Sequence, residues 1–370
     1  MVVIGGGVIG LAVAWRAALG GLSVSVVDPR PGKGASWSAA GMLAPVTEVE
    51  HGESALLSLN LASAERYPSF VAEVEEASGQ TVGYRACGTL AVAFDNDDKM
   101  ALDELHRFQQ RLGLSSDELT GRQCRQLEPL LAPVIRGGLL VHGDHQVDNR
   151  RLSAALLMAA TRAGVAVAAE RARVICERDV IIGVELEGGE RISASRVVLA
   201  AGCWSAAVGG LPAAAIPPVR PVKGQILRLG PGAESPLFSR NLRGLVAGSQ
   251  VYLVARADGE LVIGATVEEL GFDVTVTAGA VHRLLHDAWR IVPAVAELAL
   301  VECHAGLRPG SPDNAPILGE VPGVDGLVMA CGHFRNGILL TPITADAIAE
   351  LLVAGKAPAL ISPFTPGRFG

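Results

Sequence analysis

The sequence is that of an α/β protein in which a nucleotide-type β/α unit is interleaved with a second, sheet-building module. Three observations predict this. An apolar strand, residues 2–4, runs straight into Gly5, Gly6, Gly7, Val8, Ile9 and Gly10 and then into a helix reaching about Leu19. The same passage from apolar run to glycine returns at residues 197–202 and 327–332. From Gly224 onward, between those returns, apolar and polar residues alternate in short runs, the period of antiparallel strands with one covered face.

Length and composition agree. The 370 residues exceed twice the ~150-residue domain prior, so two domains are expected. With 49% apolar and 19% charged residues and a mean hydropathy of +0.36, disorder, a coiled coil and a nucleic-acid-binding tail are excluded. Aromatics are only 4%, and with 44 glycines the apolar mass is mainly small aliphatic side chains, suited to strands, helices and tight connections. A net charge of -7 gives no general attraction to nucleic acid or anionic membranes. The six cysteines are scattered and none pairs with histidine at metal-ligand spacing, so no metal is expected. No basic segment precedes the first apolar run, which glycines interrupt, and a signal peptide is disfavoured. Residues 197–219 carry no charge, but Gly202, Gly209, Gly210, Pro212, Pro217 and Pro218 break them, so they read as a buried strand and loop rather than a membrane span. The expectation is a cytoplasmic protein.

In order, a second strand at 24–27 ends at Asp28, completing a β-α-β unit. A small-residue run, 34–45, carries no charge, and a long helix covers about 54–77. A strand at 88–94, an amphipathic helix at 99–112 and a strand at 138–141 follow. Asp148 caps a helix over 150–162, its carboxylate oxygen accepting from free backbone N–H groups. Strands at 165–168, 172–176, 180–186 and 196–201 return to the first pattern. The β-rich part comprises 225–229, 251–255, 261–265 and 301–308, with a helix at 278–291. A last strand, 327–331, meets a glycine turn that opens a helix reaching about Val353.

The spacing of Gly5, Gly7 and Gly10 between strand and helix has a physical reason. Glycines permit the tight turn and let backbone N–H groups approach a pyrophosphate at the positive end of a helix. Asp28, 18 residues after Gly10, stands where a carboxylate accepts from ribose hydroxyls. Dinucleotide binding follows, and three features favour FAD over NAD. The run ending at Gly202 repeats the strand-to-glycine approach. The small residues 35–43 let backbone lie against a planar ring. The turn from Gly332 to Gly337 would aim a helix N-terminus at a flavin pyrimidine, favouring its anion. Each also has a plain structural reading, as a packed core loop or an ordinary glycine turn.

Gly34-Ala-Ser-Trp-Ser-Ala-Ala-Gly-Met-Leu-Ala-Pro45, Ala305-Gly-Leu-Arg-Pro-Gly-Ser-Pro-Asp313 and Gly332-His-Phe-Arg-Asn-Gly-Ile-Leu-Leu340 together resemble the D-amino-acid oxidase superfamily, specifically its glycine oxidases of thiamine biosynthesis. The resemblance spans nearly the whole chain. It implies an FAD-binding Rossmann-like domain (1–80, 145–218 and 325–370) interleaved with an α+β substrate domain built on a large antiparallel sheet (81–144 and 219–324). It also implies noncovalent FAD, oxidation of glycine or another small amine to an imine, reduction of O2 to hydrogen peroxide, and a homo-oligomer, dimer or tetramer. Carried over by position, flavin contacts fall on Val8 and Ile9, Asp28 and Pro29, Ala35 and Ser36, and Ala40, Gly41 and Met42. An adenine contact falls on the backbone of Val174, and the flavin-end loop on His333, Phe334, Arg335, Asn336, Gly337, Ile338 and Leu339.

At the substrate pole, the Arg308 guanidinium is suited to bidentate capture of a carboxylate, which would fix the α-hydrogen toward the flavin. The resemblance places the Tyr252 hydroxyl near the same carboxylate and makes Arg335 a second substrate or gate contact. No His, Asp or Glu stands out as a general base, and none is needed if the amine arrives neutral. Two positions depart from the family pattern, Gln250 where many members carry His and Val267 where they carry Met, which bears on substrate size and amine recognition. Cys303 and Cys331 lie near the motifs, but neither occupies the flavin-linking position of sarcosine oxidases. Alternatives at this level are a D-amino-acid or sarcosine-type dehydrogenase with a non-oxygen acceptor, and a non-catalytic flavoprotein.

Overall fold

The computed structural model describes residues 1–232 and 236–369. Its first sheet has six strands in the order Ile317–Glu320, Leu327–Cys331, Val197–Leu199, Val2–Ile4, Ser25–Val27, Ala166–Ala168. Every pairing is parallel except that of the edge strand Ile317–Glu320, which runs antiparallel to its neighbour. Such a sheet is covered on both faces, and the strand period of two decides what each side chain meets. Val3, Val26, Val198 and Val328 pack with helices Val8–Leu19, Ser54–Ser78, Asn149–Arg162 and Thr341–Ala354. Val2, Ile4, Val27, Val197 and Leu327 face a three-stranded antiparallel sheet, Ala172–Glu177, Val180–Leu186 and Arg191–Ser193.

The second sheet has eight strands in the order Leu300–Gly310, Arg220–Leu229, Leu261–Gly264, Ser249–Ala255, Asn241–Val246, Thr89–Ala93, Gly137–Val141, Asp117–Thr120. It is antiparallel apart from the pair of Asn241–Val246 with Thr89–Ala93. One face packs helix Ala278–Ile291 through Leu284, Ala288 and Ile291. On the opposite face, Ile226, Val254 and Val262 meet Ala40, while Ala91, Ala93 and Leu139 pack Leu102 of helix Asn96–Arg111.

The chain leaves and re-enters each sheet several times. Buried Arg256, at the end of a central strand of the second sheet, ties the two together. It donates to the carbonyls of Ala40 (2.6 Å) and Val147 (2.9 Å) and to the side-chain oxygens of Gln146 (2.9 Å) and Asn149 (3.0 Å). Arg150, stacked 4.2 Å from the Trp37 ring centroid, adds a two-pronged ion pair to Glu302 at 2.9 and 2.8 Å.

Several elements differ from expectation. Ile317–Glu320, in the stretch 219–324 assigned from the sequence to the substrate domain, joins the six-stranded sheet instead. Asn241–Val246 was unforeseen because Arg243 and Gly244 interrupt its alternation; a Cβ on Gly244 would lie 1.7 Å from Ile291 Cδ1, so glycine there admits the helix. Arg220–Leu229 begins five residues early, its start disguised by Pro221, Lys223 and Gly224. The expected Asp148 cap forms, its Oδ1 accepting from the N–H groups of Arg150 (2.9 Å) and Arg151 (3.1 Å).

Candidate active site

A cavity of about 950 Å³ runs between the two sheets, from the N-terminus of helix Val8–Leu19 to the strands carrying Tyr252 and Arg308. The glycine turn at its near end divides into two roles. A Cβ on Gly5 would lie 2.2 Å from the Ala200 carbonyl oxygen, and one on Gly10 1.9 Å from the Gly5 carbonyl oxygen. These two therefore pack the turn against its neighbours and do not line the cavity, whereas Gly7, Val8 and Ile9 do. Asp28 closes the turn: its Oδ2 accepts from Gly6 N–H and its Oδ1 from Arg30 N–H, both at 2.7 Å. Ser36 Oγ accepts from Val8 N–H at 3.1 Å. Asp28 and Ser36 both reach the cavity, and Pro29 is exposed beside it.

Ala35, Ser36, Ala40, Gly41 and Met42 form one wall. Their close packing depends on small residues. A Cβ on Gly41 would lie 2.0 Å from the Val147 carbonyl oxygen, and one on Gly306 2.4 Å from Ser38 Cβ. Gly202, His333, Phe334, Arg335, Asn336, Gly337 and Ile338 line the cavity elsewhere. The turn after Gly332 does not open the long helix directly, as expected. It makes a short 3-10 turn, Phe334–Asn336, and the helix starts at Thr341. A helix N-terminus at the turn itself is therefore corrected to backbone of the 3-10 turn. His333 is buried with Nε2 3.1 Å from Thr344 Oγ1, and burial holds its imidazole down to about 3, hence neutral.

Two expected contacts lie off the cavity. Val174 packs in the core beyond the six-stranded sheet, its N–H donating to the Gly209 carbonyl at 2.8 Å, so that N–H is not available to an adenine. Leu339 is buried, and its carbonyl accepts from Ser63 Oγ at 2.6 Å.

At the far pole, Arg308 Nη1 donates to the carbonyls of Thr266 (3.1 Å) and Lys223 (3.4 Å), and among the described residues it makes no ion pair. Its guanidinium is therefore oriented by neutral groups with its charge unspent. Gly224 and Gly264 make the room. A Cβ on Gly224 would meet Arg308 Nη1 at 2.4 Å, and one on Gly264 the Tyr252 hydroxyl at 2.3 Å. Burial raises the Tyr252 phenol above its ordinary value, opposed by nearby Arg308, so the hydroxyl stays protonated as a donor.

Arg335 is not such a free cation. It pairs with Glu50, with Glu53 at 3.1 Å and with Glu48 at 3.9 Å. Expected as a second substrate or gate contact, Arg335 lines the cavity and also clasps residues 48–53 through these three carboxylates. Sequence reasoning also missed Arg243, which pairs with Glu48 and lies 3.4 Å from Gln250 Oε1 on the cavity wall. It missed buried Asp144, which accepts from Val46 N–H (3.0 Å) and Thr47 N–H (2.8 Å) and holds the same segment. No spacing signals these pairs, since Glu48 and Arg243 are 195 residues apart. Gln250 and Val267 both border the cavity, Val267 being 70% exposed. Among the described residues, no three His, Cys, Asp or Glu side chains cluster as metal ligands, and no single helix is long and apolar enough to cross a membrane.

A glycine turn at a helix N-terminus, a carboxylate at the end of the next strand and a long cavity between two sheets are the features of a dinucleotide-binding protein. The chain belongs to the FAD-dependent oxidoreductase (DAO) family, whose profile matches residues 1–351. The bifunctional protein ThiO/ThiG of Synechocystis sp. is 37% identical over 374 residues, covering 100% of this chain and 54% of that protein. This chain thus spans about half the length of such bifunctional relatives. A glycine oxidase of Geobacillus kaustophilus is 33% identical over 99% of this chain and 96% of its own length. The crystal structure of that organism's glycine oxidase superposes with a TM-score of 0.89 at 34% identity, covering 99% of this chain and 98% of that one. Iminodiacetate oxidase from Chelativorans sp. BNC1 gives 0.86 at 27% identity over 99% and 98%.

Proposed function

We propose that the protein oxidises glycine or a similar small primary or secondary amine to the imine, with O2 as electron acceptor and H2O2 as second product. The observation that carries this is Arg308, a cavity-lining guanidinium oriented by two carbonyls and matched to a carboxylate. Similarity to glycine oxidases supports the same reading.

Gly7 and Ile9 would hold the pyrophosphate of FAD through backbone N–H groups, with Val8 lining the same turn while its own N–H is held by Ser36 Oγ. Asp28 would hold the ribose, and residues 35–42 and 333–338 the flavin end. Bound there, FAD would supply a two-electron acceptor for the hydride of the substrate α-carbon, with O2 as the final oxidant. Arg308 takes both carboxylate oxygens and Tyr252 donates a third hydrogen bond, which together fix the α-carbon in one orientation. The amine must be neutral when its α-hydrogen leaves as hydride; the iminium that results then loses one N–H proton to solvent to give the imine. Cys331 at the cavity is pushed up to about 12 by burial and Cys203 likewise, so neither thiol is a nucleophile at neutral pH, and FAD would be held noncovalently. We further propose a cytoplasmic homo-oligomer whose imine product feeds thiazole formation for thiamine, a reading supported by the bifunctional relatives.

Peroxide release on addition of glycine to the FAD-loaded protein, absent in Arg308→Ala, tests the proposal. Silence toward O2 with reduction of an artificial acceptor would move the assignment to a dehydrogenase. No reaction with any amine or acceptor would leave a non-catalytic flavoprotein.

A further inference from the structure

Behind Arg308, on the face of the eight-stranded sheet turned away from the cavity, lies a cluster that the reaction above does not use. The side chain of Lys223 is completely buried, and its ammonium lies 2.6 Å from Asp273 Oδ2 and 4.0 Å from Glu268 Oε2. Gln225, two residues on and on the same face, donates to Glu268 Oε1 (2.8 Å) and accepts from Thr277 N–H (2.9 Å). Together these two side chains staple both ends of the excursion 266–277 onto strand Arg220–Leu229.

The staple bears on the substrate pole through backbone. Lys223 and Glu268 exchange main-chain hydrogen bonds at 2.8 and 3.0 Å, Thr266 Oγ1 accepts from Gln225 N–H at 2.9 Å, and it donates to Glu268. The two carbonyls that orient Arg308 belong to Lys223 and Thr266, so both acceptors are fixed by this cluster. Burying an ammonium carries a desolvation cost that an apolar side chain of similar volume avoids, which makes stability a poor account of Lys223. We infer that the Lys223–Glu268–Asp273 cluster is a positioning device, holding the Thr266 and Lys223 carbonyls so that Arg308 presents its fork to the carboxylate of the substrate.

This inference rests on Arg308 being the carboxylate site, and the test separates the two. Calorimetric titration of the FAD-loaded protein with acetate would be run on wild type, Lys223→Met, Asp273→Asn and Arg308→Ala. Asp273 is partly exposed, so its variant carries the test if Lys223→Met fails to fold. Lys223→Met and Asp273→Asn are expected to weaken acetate about tenfold or more, because small misplacements of an orienting group are costly. Glycine KM should rise in parallel with kcat little changed, KM for an amine lacking a carboxylate should not move, and Asp273→Glu should recover most of the loss. Wild-type acetate affinity in both variants, with Arg308→Ala defective, overturns the positioning role and spares the site. Wild-type affinity in Arg308→Ala overturns both.

Discussion

Gly224 lies directly beneath the guanidinium of Arg308: a Cβ on it would come within 2.4 Å of Nη1 and 2.6 Å of Cζ. The obstacle is the end of a flexible side chain rather than backbone, so Gly224→Ala should fold and retain FAD while displacing the fork. Glycine KM should rise about tenfold or more with a smaller change in kcat, because an oriented contact is lost without touching the reacting atoms. Steady-state kinetics beside a flavin spectrum checks this.

Asp28 closes the turn and, in the proposed complex, would also meet the ribose of the cofactor. Asp28→Ala strands the Gly6 and Arg30 N–H groups as well as removing the proposed ribose acceptor. The expected loss in FAD affinity is about 1–3 kcal/mol, roughly five- to 150-fold, with substrate KM in the FAD-saturated protein nearly unchanged. Fluorescence titration of the apoprotein with FAD measures it.

The two arginines at the cavity should behave differently. Arg308→Met removes a charge that makes no ion pair among the described residues, whereas Arg335→Met releases Glu48, Glu50 and Glu53 from a clasp. Substrate KM should rise far more in Arg308→Met. The Arg335 variant should show its loss mainly as faster proteolysis around residues 48–53. Parallel kinetics and limited proteolysis distinguish them, and equal KM effects would contradict the clasp.

His333 gives a pH signature. Its folded value near 3 lies below the unfolded value of 6.5, so between these the unfolded chain binds the extra proton. Stability therefore rises with pH through that window and is lost as pH falls below about 6.5. His333→Gln, still able to reach Thr344, should flatten this part of the melting-temperature profile, as calorimetry across the pH range would show.

The local parts of this fold were legible because local chemistry specifies them. Glycines that must avoid a Cβ, as at Gly5 and Gly10, and a carboxylate at a strand end, as at Asp28, leave a mark within one β-α-β unit. Long-range parts leave none. Arg243 reads as a flaw in a strand until Glu48 is seen beside it, and Arg256 reads as an ordinary strand end although four groups from the cofactor-side loops converge on it. The same blindness hides the clasp of Arg335, whose three carboxylates lie in another segment. The partner of the Val174 N–H is equally hidden from local sequence: it is Gly209, 35 residues on.

Anaerobic titration of the FAD-loaded protein with glycine, sarcosine, D-alanine and D-proline, followed by visible absorbance, tests the central claim most directly. The account predicts that at least one of these amines bleaches the flavin in wild type and that the same amine fails with Arg308→Ala. A flavin that stays oxidised with all four, or bleaches equally well without Arg308, would contradict it.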